Sequence, residues 1–263
     1  MRTLIRTLSV ALPALVLAAT ASASDLPEIR KRGTIRFIAA VDEDPLMFAH
    51  KGGANPGFER ELAEGFAALH KLKLEPVAAK TYDDRLPDLR RGAGDVVIGI
   101  IETEARAKLA AFTVEVLPAR HVVMNRKPAR AVATVEAFRA LTKVGLLEGT
   151  TWAQAAFDAG LPQASAVLFD DRDRMVAALK DGQIEATVMS VSDGALMMQK
   201  DAQLQAGTFV GAVAKAGWAV RKEDVALREA LDDYIDNARR SGAWSRLVAK
   251  YFGEQALTVL GRK

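Results

Sequence analysis

Asp95-Val96-Val97-Ile98-Gly99-Ile100-Ile101 is an apolar run opened by a single acid. A half-wet strand alternates polar and apolar residues. A short unbroken run rich in β-branched residues instead reads as a strand covered on both faces. Its neighbours fit that reading. Upstream, Asp83 to Arg91 places Leu86 and Leu89 on one side of a helix, and Gly92 ends it. Earlier still, Thr34–Ala39 and Leu74–Ala79 read as strands. Between them, residues 57–70 carry Phe58, Leu62, Phe66 and Leu69 at helical spacing. Downstream, Thr103 can cap a short helix reaching Lys108.

The theme then returns. Val122–Met124, Lys143–Leu147, Ala166–Phe169 and Ile184–Met189 read as strands. Helices are expected from Thr134 to Leu141, from Gly149-Thr150-Thr151 onward, and over Asp171–Asp181. Trp218–Val220 reads as a last short strand, followed by helices over 223–241 and 243–252. Repeated strand–helix units imply parallel sheets flanked by helices, so the fold class is α/β, and two successive sets imply two lobes. Ligands of such sheets sit beyond the carboxyl ends of the strands. That rule points to the loops after Ile101 and after Leu147.

Composition limits the chemistry. The chain has 263 residues, half of them hydrophobic and 26% charged, with no cysteine. It is long and apolar enough to bury a large core, which excludes a disordered chain. Without cysteine there is no disulfide, thiol nucleophile or thiolate-bound metal. His50, His70 and His121 do not stand at metal-ligand spacing, so neither metal nor cofactor is expected. Arg2 and Arg6, the apolar stretch Leu8–Ala19 and the small residues Ala21-Ser22-Ala23 read as a cleaved secretory signal over residues 1–23. Without those residues the net charge is +1 rather than +3, which argues against a nucleic-acid partner.

Several stretches in order resemble the family-3 bacterial solute-binding proteins of polar amino-acid ABC transporters. They are Leu26–Arg36, Gly57-Phe58-Glu59-Arg60-Glu61-Leu62-Ala63, Leu86–Gly92 with Asp95–Gly99, and Thr103-Glu104-Ala105-Arg106-Ala107. Val144–Thr151, Ala178–Ala186, Gly217–Lys222 and Lys250-Tyr251-Phe252-Gly253 complete the series. The resemblance implies a periplasmic binding-protein-like fold with a hinge and a ligand cleft. Lobe 1 would hold 24–120 plus 217–263 and lobe 2 would hold 126–212, with crossings at 121–125 and 213–216. It implies a monomeric periplasmic carrier that closes on a small carboxylate-bearing solute, without catalysis, and presents it to a membrane permease.

It also implies site residues. Arg106 matches the arginine that grips a ligand carboxylate through two parallel hydrogen bonds. Thr103 caps that arginine's helix, and Gly99 allows close backbone approach. Thr150 and Thr151 open a second-lobe helix whose free N–H groups suit an anion. Trp152 covers the ligand or packs in the core. Phe48 and Tyr82 fall where aromatic side chains line the cleft, although simple lobe packing is the better account of each. The family's acid for a ligand ammonium is replaced by Ser190, with Asp193 three residues on as a substitute. Glu102 and Glu148 are the other acids expected near the cleft, and Leu46 stands where an aromatic is usual.

Two other functions fit the sequence. One is an accessory or sensory binding-fold protein for an exported dehydrogenase system. The other is an enzyme resembling the cyclohexadienyl dehydratases, with Glu102 or Glu148 as the proton donor.

Overall fold

The computed structural model describes residues 25–260, so the expected signal segment lies outside the described residues. In the first lobe, β1 (Thr34–Ala40) pairs in parallel with β2 (Lys73–Ala79) and β3 (Val96–Ile101). In the second, β6 (Val144–Leu147) pairs in parallel with β7 (Ala166–Phe169) and β8 (Ala186–Ser190). Two long strands join the sets, β5 (Leu117–Arg126) and β9 (Leu204–Val220), and β4 (Ala111–Phe112) pairs with β9. The order across the sheet is β2-β1-β3-β9-β5-β8-β6-β7.

The joining strands run antiparallel to their neighbours, a departure from the all-parallel expectation. β3 meets only the end of β9, with Val97 opposite Ala219 and Ile101 opposite Ala216. β8 meets only the later half of β5, from His121 opposite Ser190 to Asn125 opposite Ala186. Residues 121–125, expected as a crossing, are therefore already paired inside the second lobe. Leu117, Pro118 and Ala119 pair with Ala216, Lys215 and Ala214, and the register slips between Ala119 and His121. The lobes join through these residues and the facing stretch of β9.

Helices cover the sheet where the apolar spacing directs them. Before β2 stand α1 (Leu26–Arg32), α2 (Pro45–Phe48) and α3 (Phe58–Leu69). α3 buries Phe58, Leu62 and Phe66, but Leu69, expected on the same face, is 65% exposed. α4 (Arg85–Arg90) buries Leu86 and Leu89, and α5 (Glu104–Ala107) follows β3. The second lobe carries α6 (Val135–Arg139), α7 (Thr151–Asp158), α8 (Arg172–Lys180) and α9 (Val191–Lys200). The Thr103, Thr134, Thr150, Asp171 and Ser190 side chains each cap their helix by accepting a backbone N–H three residues on.

α10 (Val225–Arg240) and α11 (Ala243–Phe252) return to the first lobe, burying Leu227, Leu231, Ile235, Trp244 and Phe252. Residues 254–260, ending in α12 (Leu257–Leu260), then lie against both α11 and α9, with Ala256, Val259 and Leu260 buried.

Gly57, ahead of α3, has φ +100°, and a Cβ there would lie 2.6 Å from the Met47 backbone. Gly57→Ala is expected to cost about 1–3 kcal/mol, read as a lower urea midpoint at unchanged slope.

Candidate functional site

A cavity of about 540 Å³ lies between the lobes. The first lobe supplies Glu43, Met47, Glu59, Gly99 and Ile101. The second supplies Thr151, Trp152, Gln154, Ala155 and Asp158 from α7, with Ser190, Val191 and Ser192 at the start of α9. The crossing strands supply Leu117–His121 and part of 211–216, and Leu260 closes one edge.

Glu59 dominates the first-lobe wall. It stands in the first turn of α3 and is 1% exposed. It accepts a hydrogen bond from Trp218 Nε1 at 3.0 Å and another from the Gly99 backbone N–H. Gly99 has φ +55°, and a Cβ there would approach Glu59 Oε1 to 3.3 Å. Burial, then the charge of Glu43, pushes the Glu59 carboxyl up to about 8. Burial also raises Glu43, against the pull of Arg85. Arg85 is fully buried. Its Nη1 donates to Glu43 at 3.1 Å and to the Ile98 carbonyl at 3.0 Å.

The raised Glu59 carries a stability prediction. The folded state keeps a proton that the unfolded state releases near pH 4.5, so stability falls as pH rises toward 8. The raised carboxyl of Asp224, at about 6, has the same sign in a lower window. His121, lowered by burial, is neutral above pH 7. Between pH 7 and 8.5 the unliganded protein should therefore lose about 1 kcal/mol, and Glu59→Gln should flatten that slope in urea titrations.

On the second-lobe side, Thr151 faces the cavity and its hydroxyl meets His121 Nε2 at 3.2 Å. Thr150 does not face it. Its hydroxyl donates to the Leu147 carbonyl at 2.7 Å and accepts from the Ala153 N–H. Ser190 lines the cavity while bonded to Asp193. Asp193 pairs with Arg172 at 3.0 Å and faces a smaller cavity of about 210 Å³, beside Asp44 and Leu46. Arg120 lines the main cavity with its guanidinium 5.2 Å from the Phe209 ring. Its Nε is buried without a hydrogen-bond partner among the described residues.

Tyr82, Arg106 and Thr103, around the end of β3, stand at the rim outside the residues that line this cavity. Tyr82 Oη accepts from the Ile101 N–H and from Arg106 Nη1, both at 3.2 Å. Arg106 Nη1 also donates to the Ile101 carbonyl at 3.0 Å, and Nη2 lies 3.7 Å from Asp83. The Tyr82 ring carries the Arg85 guanidinium at 3.7 Å and that of Arg106 at 5.0 Å. Thr103 caps α5 from an exposed position.

Three expected positions are corrected. Phe48 is wholly buried, edge-on to His50, because its helix folds inward against α3. Glu102 turns to Lys215 at 2.7 Å rather than into the cavity. Glu148 is exposed beyond β6. Of the expected residues, Gly99, Thr151, Trp152 and Ser190 share the cavity wall.

Glu59, Glu43, Arg120 and His121 were not singled out by the sequence. Glu59 did leave a signal: it falls on the same helical face as Ala63, Phe66 and Ala67, an acid among core positions. No group of three His, Cys, Asp or Glu that could hold a metal occurs among the described residues.

Two α/β lobes joined by two crossing strands, with a cavity walled by both, define a two-lobed solute-binding protein. The sequence matches the family described as bacterial extracellular solute-binding proteins, family 3, over residues 35–254, and the chain belongs to that family. It is 26% identical over 248 residues to a membrane-bound lytic murein transglycosylase F of Pseudomonas putida (strain W619). That match covers 90% of this chain and 50% of the relative. The chain thus spans about half the length of the curated relatives it matches.

Among solved structures, an ancestral cationic amino acid solute-binding protein is 27% identical. The TM-score is 0.69, with 86% of this chain and 98% of that one covered. A polar amino acid ABC uptake transporter substrate-binding protein from Streptococcus thermophilus has a TM-score of 0.76. At 18% identity, over 90% of this chain and 92% of that one, it speaks to the fold alone. No helix of the described residues is long and apolar enough to cross a membrane.

Proposed function

We propose that this chain is a non-catalytic periplasmic carrier. It binds a small carboxylate-bearing solute between its lobes, closes, and delivers the solute to an ABC importer. The observation that carries this reading is the 540 Å³ cavity walled by both lobes and both crossing strands. A solute touching both walls stabilises the closed arrangement, and closure is what a permease can recognise. The carboxylate has donors in the N-terminal turns of α7 and α9 on the second lobe and in Arg120 on the crossing strand β5.

Melting the protein against L-amino acids of every charge class, and against carboxylates and amines lacking one α-group, tests this. A true solute at a hundredfold its Kd should add about 2.7 kcal/mol of stability. No shift with any compound would count against transport and favour the accessory role. Arg120→Ala should weaken carboxylate binding about 10- to 100-fold, the loss of a charge-assisted hydrogen bond. Arg106→Ala should cost less, because its guanidinium is engaged at the rim. The opposite ranking would move the carboxylate to Arg106.

One observation supports an enzymatic reading instead. Glu59 holds a proton near neutral pH inside the cavity, as an acid that expels a hydroxyl must. In that reading Glu59, not Glu102 or Glu148, protonates the ring hydroxyl of a cyclohexadienyl acid; the C–O bond breaks to release water, the bond to the ring carboxylate breaks to release carbon dioxide, and its electron pair completes the aromatic ring. Incubation with prephenate, followed by aromatic absorbance, decides the matter. Turnover abolished by Glu59→Gln would establish the enzyme.

A further inference from the structure

We propose that the solute carries no ammonium. It is a carboxylate with an apolar body and an uncharged acceptor oxygen, the carboxylate held by Arg120 and the oxygen taking a hydrogen bond from the carboxyl group of Glu59. This assignment rests on the reading of the cavity as a solute site and names the chemistry that enters it.

The acids around the cavity are already answered. Glu43 is paired with Arg85 at 3.1 Å. Asp158 accepts from Gln154 Nε2 at 2.7 Å and stands exposed at the end of α7. At the start of α9, Ser190 is neutral and Asp193 is paired with Arg172 at 3.0 Å. Glu59 is 1% exposed and has no cation in contact among the described residues. A carboxyl so placed keeps its proton, and its rise to about 8 agrees with that.

Arg120 stands in the opposite position. Among the described residues it has no carboxylate partner, and its Nε is buried without a hydrogen bond. His121 beside it is neutral above pH 7, since burial lowers its pKa. The unanswered charge in the cavity is therefore positive. One anionic group on the solute meets it, whereas a buried ammonium would find no free anion.

Hydrogen bonding defines the second contact. A protonated carboxyl has one O–H to donate and further positions that accept. Both groups bonded to Glu59, Trp218 Nε1 at 3.0 Å and the Gly99 N–H, are donors, so they occupy accepting positions. The O–H is left over, on a residue that lines the cavity. An uncharged oxygen of the solute satisfies it. Between these two polar ends the wall is apolar, with Met47, Ile101, Leu117, Trp152, Val191 and Leu260 facing the space. Such a wall suits a hydrocarbon frame.

The test is calorimetry with a matched six-carbon series: hexanoate, 2-oxohexanoate, 5-oxohexanoate, L-norleucine and 6-aminohexanoate. A ketone oxygen accepts and cannot donate, so it reports a donor in the wall. At pH 7 at least one ketone should bind about fivefold tighter than hexanoate. Both ammonium probes should bind about 30-fold more weakly than hexanoate. Glu59→Leu should bring the ratio of ketone to hexanoate affinity to about one. Glu59→Gln should keep that ratio, because its amide N–H replaces the O–H while its carbonyl still accepts from Trp218.

The same ratio depends on pH. From pH 7 to 9 it should shrink below about twofold in the wild type as the carboxyl ionises, and it should hold in Glu59→Gln. The groups facing Glu59 are Glu43 ahead of α2, Arg85 on α4, Trp218 on β9 and the Gly99 N–H on β3. Arg120 and His121 on β5 and Asp158 on α7 line the same cavity. Glu43 is also raised by burial, and constancy in Glu59→Gln assigns the change to Glu59 instead. This pH series needs only the wild type and the Gln variant, so it stands even where Glu59→Leu fails to fold.

An ammonium probe that binds as tightly as hexanoate overturns the proposal. So does a ketone ratio of one at pH 7, or a wild-type ratio that survives at pH 9. Where hexanoate still binds, those results leave the carboxylate carrier standing. Binding of none of the series overturns the proposal, and the wider solute panel then decides the carrier reading separately.

Discussion

Asp95→Ala is expected to lower the unfolding free energy by about 3 kcal/mol, the cost of breaking a buried, multiply hydrogen-bonded ion-pair network. Asp95 opens β3 and is wholly buried. Its carboxylate accepts from the Arg36 N–H at 2.8 Å, from Arg36 Nη2 at 2.9 Å and from Arg32 Nη2 at 2.5 Å. Arg221 Nη2 lies 3.8 Å away and pairs with Asp224 at 2.7 Å. Arg32 and Arg36 are partly in water and recover some hydration when the acid is lost. Arg221 is 5% exposed and cannot, and Asp224 is then its one remaining ion-pair partner among the described residues. One backbone N–H of β1 also loses its acceptor. Asp95→Asn keeps an acceptor for that N–H and should lose less. Urea denaturation of the two variants checks the ranking, and equal losses would show that the lost charge, not the acceptor, carries the effect.

Trp218→Ala should cost about 4 kcal/mol, and it should damage the site as well as the fold. The indole is fully buried, edge-on to Phe37 with centroids 5.5 Å apart. Its removal opens a void beneath β1 and leaves Glu59 without its side-chain donor. Trp218→Phe separates the two effects. A phenyl ring keeps much of the packing and removes only the N–H. That variant should lose about 1–3 kcal/mol and raise the Glu59 carboxyl further. A steeper fall in stability with pH would report the raised carboxyl. A Phe variant as unstable as the Ala variant would assign the effect to the hydrogen bond rather than to packing.

The sequence made the parallel strands legible because an apolar run covered on both faces has few other readings. β3 and β6 lie within or close to the stretches assigned to them. β9 was not legible beyond its last residues. Gly207, Gly211 and Gly217, with the alanines at 206, 212, 214 and 216, dilute any alternation, and the strand is set by pairing with β5 rather than by its own side chains. α9 escaped for another reason. Ser190 and Asp193 were weighed as ligand contacts, although serine followed three residues later by an acid is also a helix-start signature. In the site, Thr151 and Ser190 could be placed by their position after strands. Whether Phe48 and Glu102 face the cavity depends on rotations set by packing against other elements. Glu59 lies in the first turn of α3, where an acid is ordinary, and only its place among core positions marks it.

The segment from 254 to 260 gives the two halves of the molecule a third attachment. The crossing strands alone would leave the halves free to swing apart at little expense. Here every degree of separation must either carry residues 254–260 away from α9 or peel them from α11, baring Ala256, Val259 and Leu260 to water. Such a strap would bias the empty protein of the proposed carrier toward its shut form. A guest pays less of the ordering that an unstrapped protein would charge, so modest contacts suffice for tight retention. In the proposed carrier the same bias would oppose unloading, and release would demand work from the importer that receives the solute.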